Sequence, residues 1–162
     1  CGALLVACCN PTALALIGLF NIIGSLASGA MGQHYPKQIM LALIYIGRSI
    51  AVTLFLILPQ TPTAVIIFSA VMGLLWLSTV PPTNALVAIM FGTRHLGLLG
   101  GLVFFSHQIG SFLGIWLGGV FFVRFGSYDP VWWLSVGLGI FAAAVHWPIE
   151  EKPVVPAGLA AA

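Results

Sequence analysis

A few side chains able to bind or orient a solute stand inside long apolar stretches: Asn21, Arg48, Trp76, Asn84, His107 and Gln108. Arg48 says most. It lies midway along Ile39–Leu58, and a central Arg in a bilayer costs about 2.5–3.5 kcal/mol, so such residues face a bundle interior or a cavity. The acids Asp129, Glu150 and Glu151 all stand at the ends of apolar runs. The counter-group of Arg48 must therefore be backbone carbonyls, water, a group outside this chain or an anionic cargo. Pro81 and Pro82 interrupt another run and release the carbonyls of Leu77 and Ser78 from a helical ladder. Broken helices at membrane depth line cavities or are re-satisfied by neighbours. Trp76, Thr79 and Asn84 flank this break. His107 and Gln108 are adjacent and point to different faces of their helix. A lone intramembrane His bonds structurally or touches cargo, and Asn21 serves as interhelical glue or as a ligand.

The same inventory excludes other chemistry. No His, Cys or acid spacing fits a metal site, and no Gly-rich loop follows a strand to cradle a phosphate. Ser106 and His107 are chain neighbours, a spacing that does not aim a helical Ser at a helical His. With three acids in all, a catalytic constellation has nothing to be built from. The expectation is no enzyme, no cofactor and no metal.

The elements that hold these residues follow from composition. Of 162 residues, 60% are hydrophobic and 5% charged, with mean hydropathy +1.14. A soluble domain carries about 25% charged residues, so most of this surface faces a lipid bilayer. A net charge of +2 with no basic run gives nucleic acid nothing to hold. Cys1, Cys8 and Cys9 have no ligand spacing and read as small apolar residues.

Taken in order, residues 1–10 read as the end of a truncated preceding helix and its loop, with Asn10-Pro11 as a helix start. Residues 11–147 read as a bundle of about five spans, near 12–32, 39–58, 64–91, 96–123 and 131–147. Residues 148–162 read as a cytoplasmic disordered tail. Leu96–Val123 has no acid, Lys, Arg or Pro and at ~1.5 Å per residue reaches roughly 40 Å, more than a bilayer core. Its glycines Gly97, Gly101, Gly110, Gly114 and Gly118 resemble a packing seam, because small residues let membrane helices approach closely. The expectation is a tightly packed helix inside the bundle. The fifth span is short, about 25 Å, with Trp132, Trp133 and Trp147 at its ends, where indoles favour the interface. Short turns make neighbours antiparallel. Lys37, Arg94 and Lys152 then share one side against Arg124 on the other, which places the first side and the C-terminus in the cytoplasm.

The segments LIGLFNIIGSLASG, GLLWLSTVPPTNALVAIMFGTRHLG and GLVFFSHQIGSFLGIWLGGVFF followed by GSYD resemble the C-terminal half of a major facilitator superfamily transporter. The last two are similar to the glycine-ladder helix and following turn of the bacterial monocarboxylate-type and oxalate/formate-type branch. The resemblance covers roughly residues 10–150. It implies that the spans are helices eight to twelve of twelve, that residues 1–9 end helix seven, and that an N-terminal bundle of the same polypeptide completes the molecule in a bacterial cytoplasmic membrane. The family's loop between helices eight and nine reads Gly, three residues, Asp, Arg, any, Gly, Arg or Lys. Gly29 and Lys37 hold its ends, while Gln33, His34 and Pro36 replace Asp, Arg and Gly, so the ion pair of that motif is missing. Where animal-type carriers place an Asp and an Arg on helix eight, this chain has Asn21. The fold puts helix nine, which carries Arg48, at the periphery.

The reading is an all-α polytopic transmembrane helix bundle, part of a secondary transporter that moves a small solute by alternating access, with a proton or counter-solute as possible partner. The fixed charge of Arg48 would favour an organic anion, and His107 could add a pH-dependent positive charge. A structural membrane subunit or assembly factor fits the composition as well; an intramembrane enzyme fits it less.

Overall fold

The computed structural model describes residues 11–59 and 61–154. The reading of residues 1–10, the cysteines, the Asn10 cap and the tail beyond 154 lie outside the described residues. All regular structure among those described is helical. α1 runs Pro11–Met31, α2 Lys37–Ile57 and α3 Pro62–Trp76. A single 3-10 turn at Leu77–Thr79 leads into α4, Val80–Phe91. A second short turn at Thr93–His95 precedes α5, Leu96–Phe125, and α6 spans Asp129–His146.

The helix ends follow local chemistry. Thr61 Oγ1 accepts from Ala64 N–H at 3.2 Å and Pro62 opens α3, a capped start with proline where its missing N–H costs nothing. Pro81 and Pro82 do not sit in a helix interior. The 3-10 turn restarts the helix so that they fall in the first turn of α4, where proline is tolerated. Gly92, with φ +76°, and Gly126, with φ +68°, end α4 and α5 in conformations that other residues rarely adopt. Ser127 Oγ accepts from Asp129 N–H at 3.1 Å, and Asp129 in the first turn of α6 complements the helix dipole.

Four stretches among the described residues are long and apolar enough to cross a bilayer: Pro11–Met31, Lys37–Ile57, Pro62–Phe91 and Thr93–Phe125. α6 has 18 residues, roughly 27 Å of helix, and its polar ends Asp129 and His146 shorten the apolar run. Large apolar side chains cover the outside, Leu98, Ile115 and Val123 among them. Water would not tolerate such a surface, and hydrocarbon requires it.

Two close pairs make the core, α1 with α3 and α2 with α6. At the first crossing, a Cβ on Gly24 would collide with the Leu74 carbonyl, and one on Gly73 would lie 2.7 Å from the Ile17 carbonyl. Each helix offers a glycine to the other's backbone. At the second, Gly139 leaves room for Ser49, whose Oγ donates across the helices to Val136 O at 3.3 Å and within α2 to Tyr45 O at 3.1 Å. Phe55 stacks on Phe68 with centroids 4.2 Å apart, and Trp132 meets Phe68 edge-on at 6.2 Å.

α5 departs from expectation. Only Gly118 is buried along it, and no described residue lies within 4 Å of a Cβ on Gly97, Gly101, Gly110, Gly114 or Gly118. The ladder is open and the tight glycine contacts are Gly24 and Gly73. A small-residue stripe records a capacity for close approach, and at these positions the described residues make no such approach.

Candidate functional site

Between α1, α2, α3 and α6 lies a cavity of about 900 Å³. Its walls include Asn21 of α1, Tyr45, Arg48 and Ser49 of α2, Phe68 and Trp76 of α3, and Trp132 and Ser135 of α6. Most of the lining is apolar or aromatic, and no acid is part of it.

Arg48 is held at the helix break. Its Nε donates to Leu75 O at 3.1 Å and its Nη2 to Leu75 O at 2.5 Å and to Trp76 O. These are the last carbonyls of α3, and the break makes Trp76 O available. Val80 N–H bonds Leu77 O, three residues back, instead of reaching Trp76 O. The guanidinium also lies 5.4 Å from the Tyr45 ring centroid and 5.7 Å from that of Trp76, within cation–π range. Of the counter-groups open to Arg48, backbone carbonyls are the ones it meets. Nη1 is left without a partner among the described residues. From α1, Asn21 Oδ1 accepts from Leu77 N–H at 3.3 Å. Asn21 and Arg48 therefore meet the same break from two helices.

The structure brings together Asn21, Arg48 and Trp76 and leaves Asn84, His107 and Gln108 elsewhere. Asn84 is exposed on α4 toward Gly100 of α5. His107 and Gln108 are exposed on α5, with the His107 ring 6.4 Å from Phe104. Tyr45, Ser49, Trp132 and Ser135 line the cavity without having been singled out. Tyr45 was findable, three residues before Arg48 on the same helical face. Trp132 reads from sequence as an interface anchor, and its ring contacts with Phe55 of α2 and Phe68 of α3 turn it inward. Among the described residues no group of three His, Cys, Asp or Glu could hold a metal.

The family model of the Major Facilitator Superfamily matches residues 11–161. The chain is similar to a protein of Bacillus subtilis (strain 168) described as an uncharacterized MFS-type transporter, YcxA, at 28% identity over 114 residues. That match takes in 67% of this chain and 28% of the relative's length. No solved structure matches the chain. A helical bundle with apolar outer faces, a break braced by polar groups at membrane depth, and a family match over nearly the whole length lead to one assignment: the chain belongs to the major facilitator superfamily.

Proposed function

We propose that the chain forms helices eight to twelve of a secondary transporter that carries a small organic anion by alternating access, with an N-terminal bundle of the same polypeptide as the opposite wall. The observation that carries the anion reading is Arg48. It lines a cavity of about 900 Å³ whose walls contain no acid, and one guanidinium nitrogen is uncommitted. A fixed positive charge in a low-dielectric cavity attracts anions and repels cations. The aromatic walls suit a carboxylate with an apolar body. Family membership and the transporter relative support membrane transport in general; the solute, the bacterial branch, the cytoplasmic C-terminus and a coupled proton or counter-solute belong to this proposal.

The test is uptake into vesicles by the full-length polypeptide at matched abundance. Arg48→Lys keeps the charge and is expected to keep a preference for carboxylates over quaternary amines. Arg48→Gln removes the charge and is expected to abolish carboxylate uptake. Normal carboxylate uptake by Arg48→Gln, or equal loss of folded protein in both variants, assigns Arg48 to the scaffold and removes the anion reading.

A further inference from the structure

The start of α2 has no cap of its own. Its N-cap position is Pro36, which offers no side-chain acceptor, and its first turn contains no acid. The first N–H groups of a helix lack intrahelical partners, so an acceptor must come from elsewhere. It comes from beyond α6. Glu151 Oε1 accepts from the backbone N–H of Lys37 and, at 3.2 Å, from that of Gln38. Oε2 takes the Lys37 ammonium at 3.3 Å. Both side chains are only 18% exposed. A carboxylate at a helix N-terminus gains from the dipole as well as from the hydrogen bonds.

Three residues on, Val154 N–H donates to Met90 O at 2.8 Å. Met90 is in the last turn of α4, where carbonyls lack helical donors. One short stretch thus serves orphan groups at two helix ends, an acceptor for the start of α2 and a donor for the end of α4. The turn 32–36 holds no acid, so Lys37 finds its carboxylate at the far end of the chain.

We propose that residues 150–154 are a strap that ties the ends of α2, α4 and α6 into one unit at one face of the bundle, with Glu151 as its pin. The pin acts on the backbone: Glu151 caps α2, and the Lys37 side chain is secondary. The strap is independent of which solute is carried.

Hydrogen exchange followed by mass spectrometry on the purified protein in lipid nanodiscs tests this. Glu151→Ala is expected to speed exchange at Lys37, Gln38 and Val154 together, by about tenfold or more. Lys37→Met is expected to leave the backbone amides at positions 37 and 38 protected, and Glu150→Gln to change none of them. Continued protection of Val154 in Glu151→Ala would show two unlinked contacts and overturn the strap. Loss of protection in Lys37→Met would overturn the capping role. The wild type suffices if Glu151→Ala does not fold: exchange at Lys37 and Gln38 as fast as in an unfolded peptide overturns the proposal outright.

Discussion

Arg48 and Asn21 act on the main chain of a third helix, and the consequences can be measured one residue at a time. Arg48 gives a charged, planar donor to two successive carbonyls, a geometry that a single ammonium does not reproduce. Asn21→Ala removes one neutral hydrogen bond to Leu77 and is expected to lower stability by about 0.5–1.5 kcal/mol. Arg48→Met removes charge-assisted bonds and is expected to cost about 1.5–3 kcal/mol. Because both residues hold one break, the double variant should depart from additivity; thermal unfolding in detergent measures all three. Glu150 provides a contrast. Its hydrogen bond with Lys152, and then the attraction of that ammonium, hold its carboxyl below the ordinary range and the Lys152 ammonium above its own. A depressed carboxyl contributes above its ordinary pKa and loses that contribution as pH falls through the lowered value. Both groups are fully exposed, and solvent screens the pair. Glu150→Gln should therefore leave the pH dependence of unfolding unchanged.

Among elements, the two close crossings differ from the open ladder. Gly24→Leu or Gly73→Leu would push α1 off α3 backbone against backbone, and overpacking of this kind costs about 1–3 kcal/mol. The monodisperse fraction of residues 1–162 on size-exclusion chromatography should fall. Gly114→Leu should leave it unchanged, because no described residue lies near that position. If the full-length polypeptide loses folded yield with Gly114→Leu while residues 1–162 do not, a segment outside this chain covers the ladder. The comparison also shows what was legible in the amino-acid order. Long helices were legible because uncharged apolar runs alternate with turns such as QHYPKQ and GTRH. The glycine stripe of α5 was legible as a pattern, whereas the crossing of Gly24 with Gly73 was not. Gly24 shares α1 with Gly18 and Gly29 while Gly73 is the lone glycine of α3, and only the tertiary crossing sets Gly24 against Leu74 and Gly73 against Ile17. Arg48 and the Pro81-Pro82 break were visible separately. Nothing in their spacing says that α2 passes α3 at that level, and so the carbonyl partners of Arg48 stayed hidden.

At the scale of the molecule, the described residues form a helical membrane bundle with apolar outer faces. Residues 1–162 reconstituted by themselves should show no saturable uptake, since the proposed cavity has its other wall elsewhere; saturable flux would mean that this bundle forms a complete pathway, by itself or as an oligomer. Cysteines at Lys37 and Arg94 should be labelled from one face of the membrane and cysteines at Pro59 and Ser127 from the other. α5 carries a final consequence. Only Gly118 is buried along it among the described residues, and a bilayer leaves its backbone no alternative partners, so it holds its helix with few close neighbours. Its insertion and its docking are therefore separable events. Heating should erase the near-ultraviolet signals of Trp132 and its ring contacts while the far-ultraviolet helical signal survives, because loss of assembly leaves α5 still inserted. A cell would meet such a helix as a freestanding span, recognised by the insertion machinery before the rest of the bundle has formed.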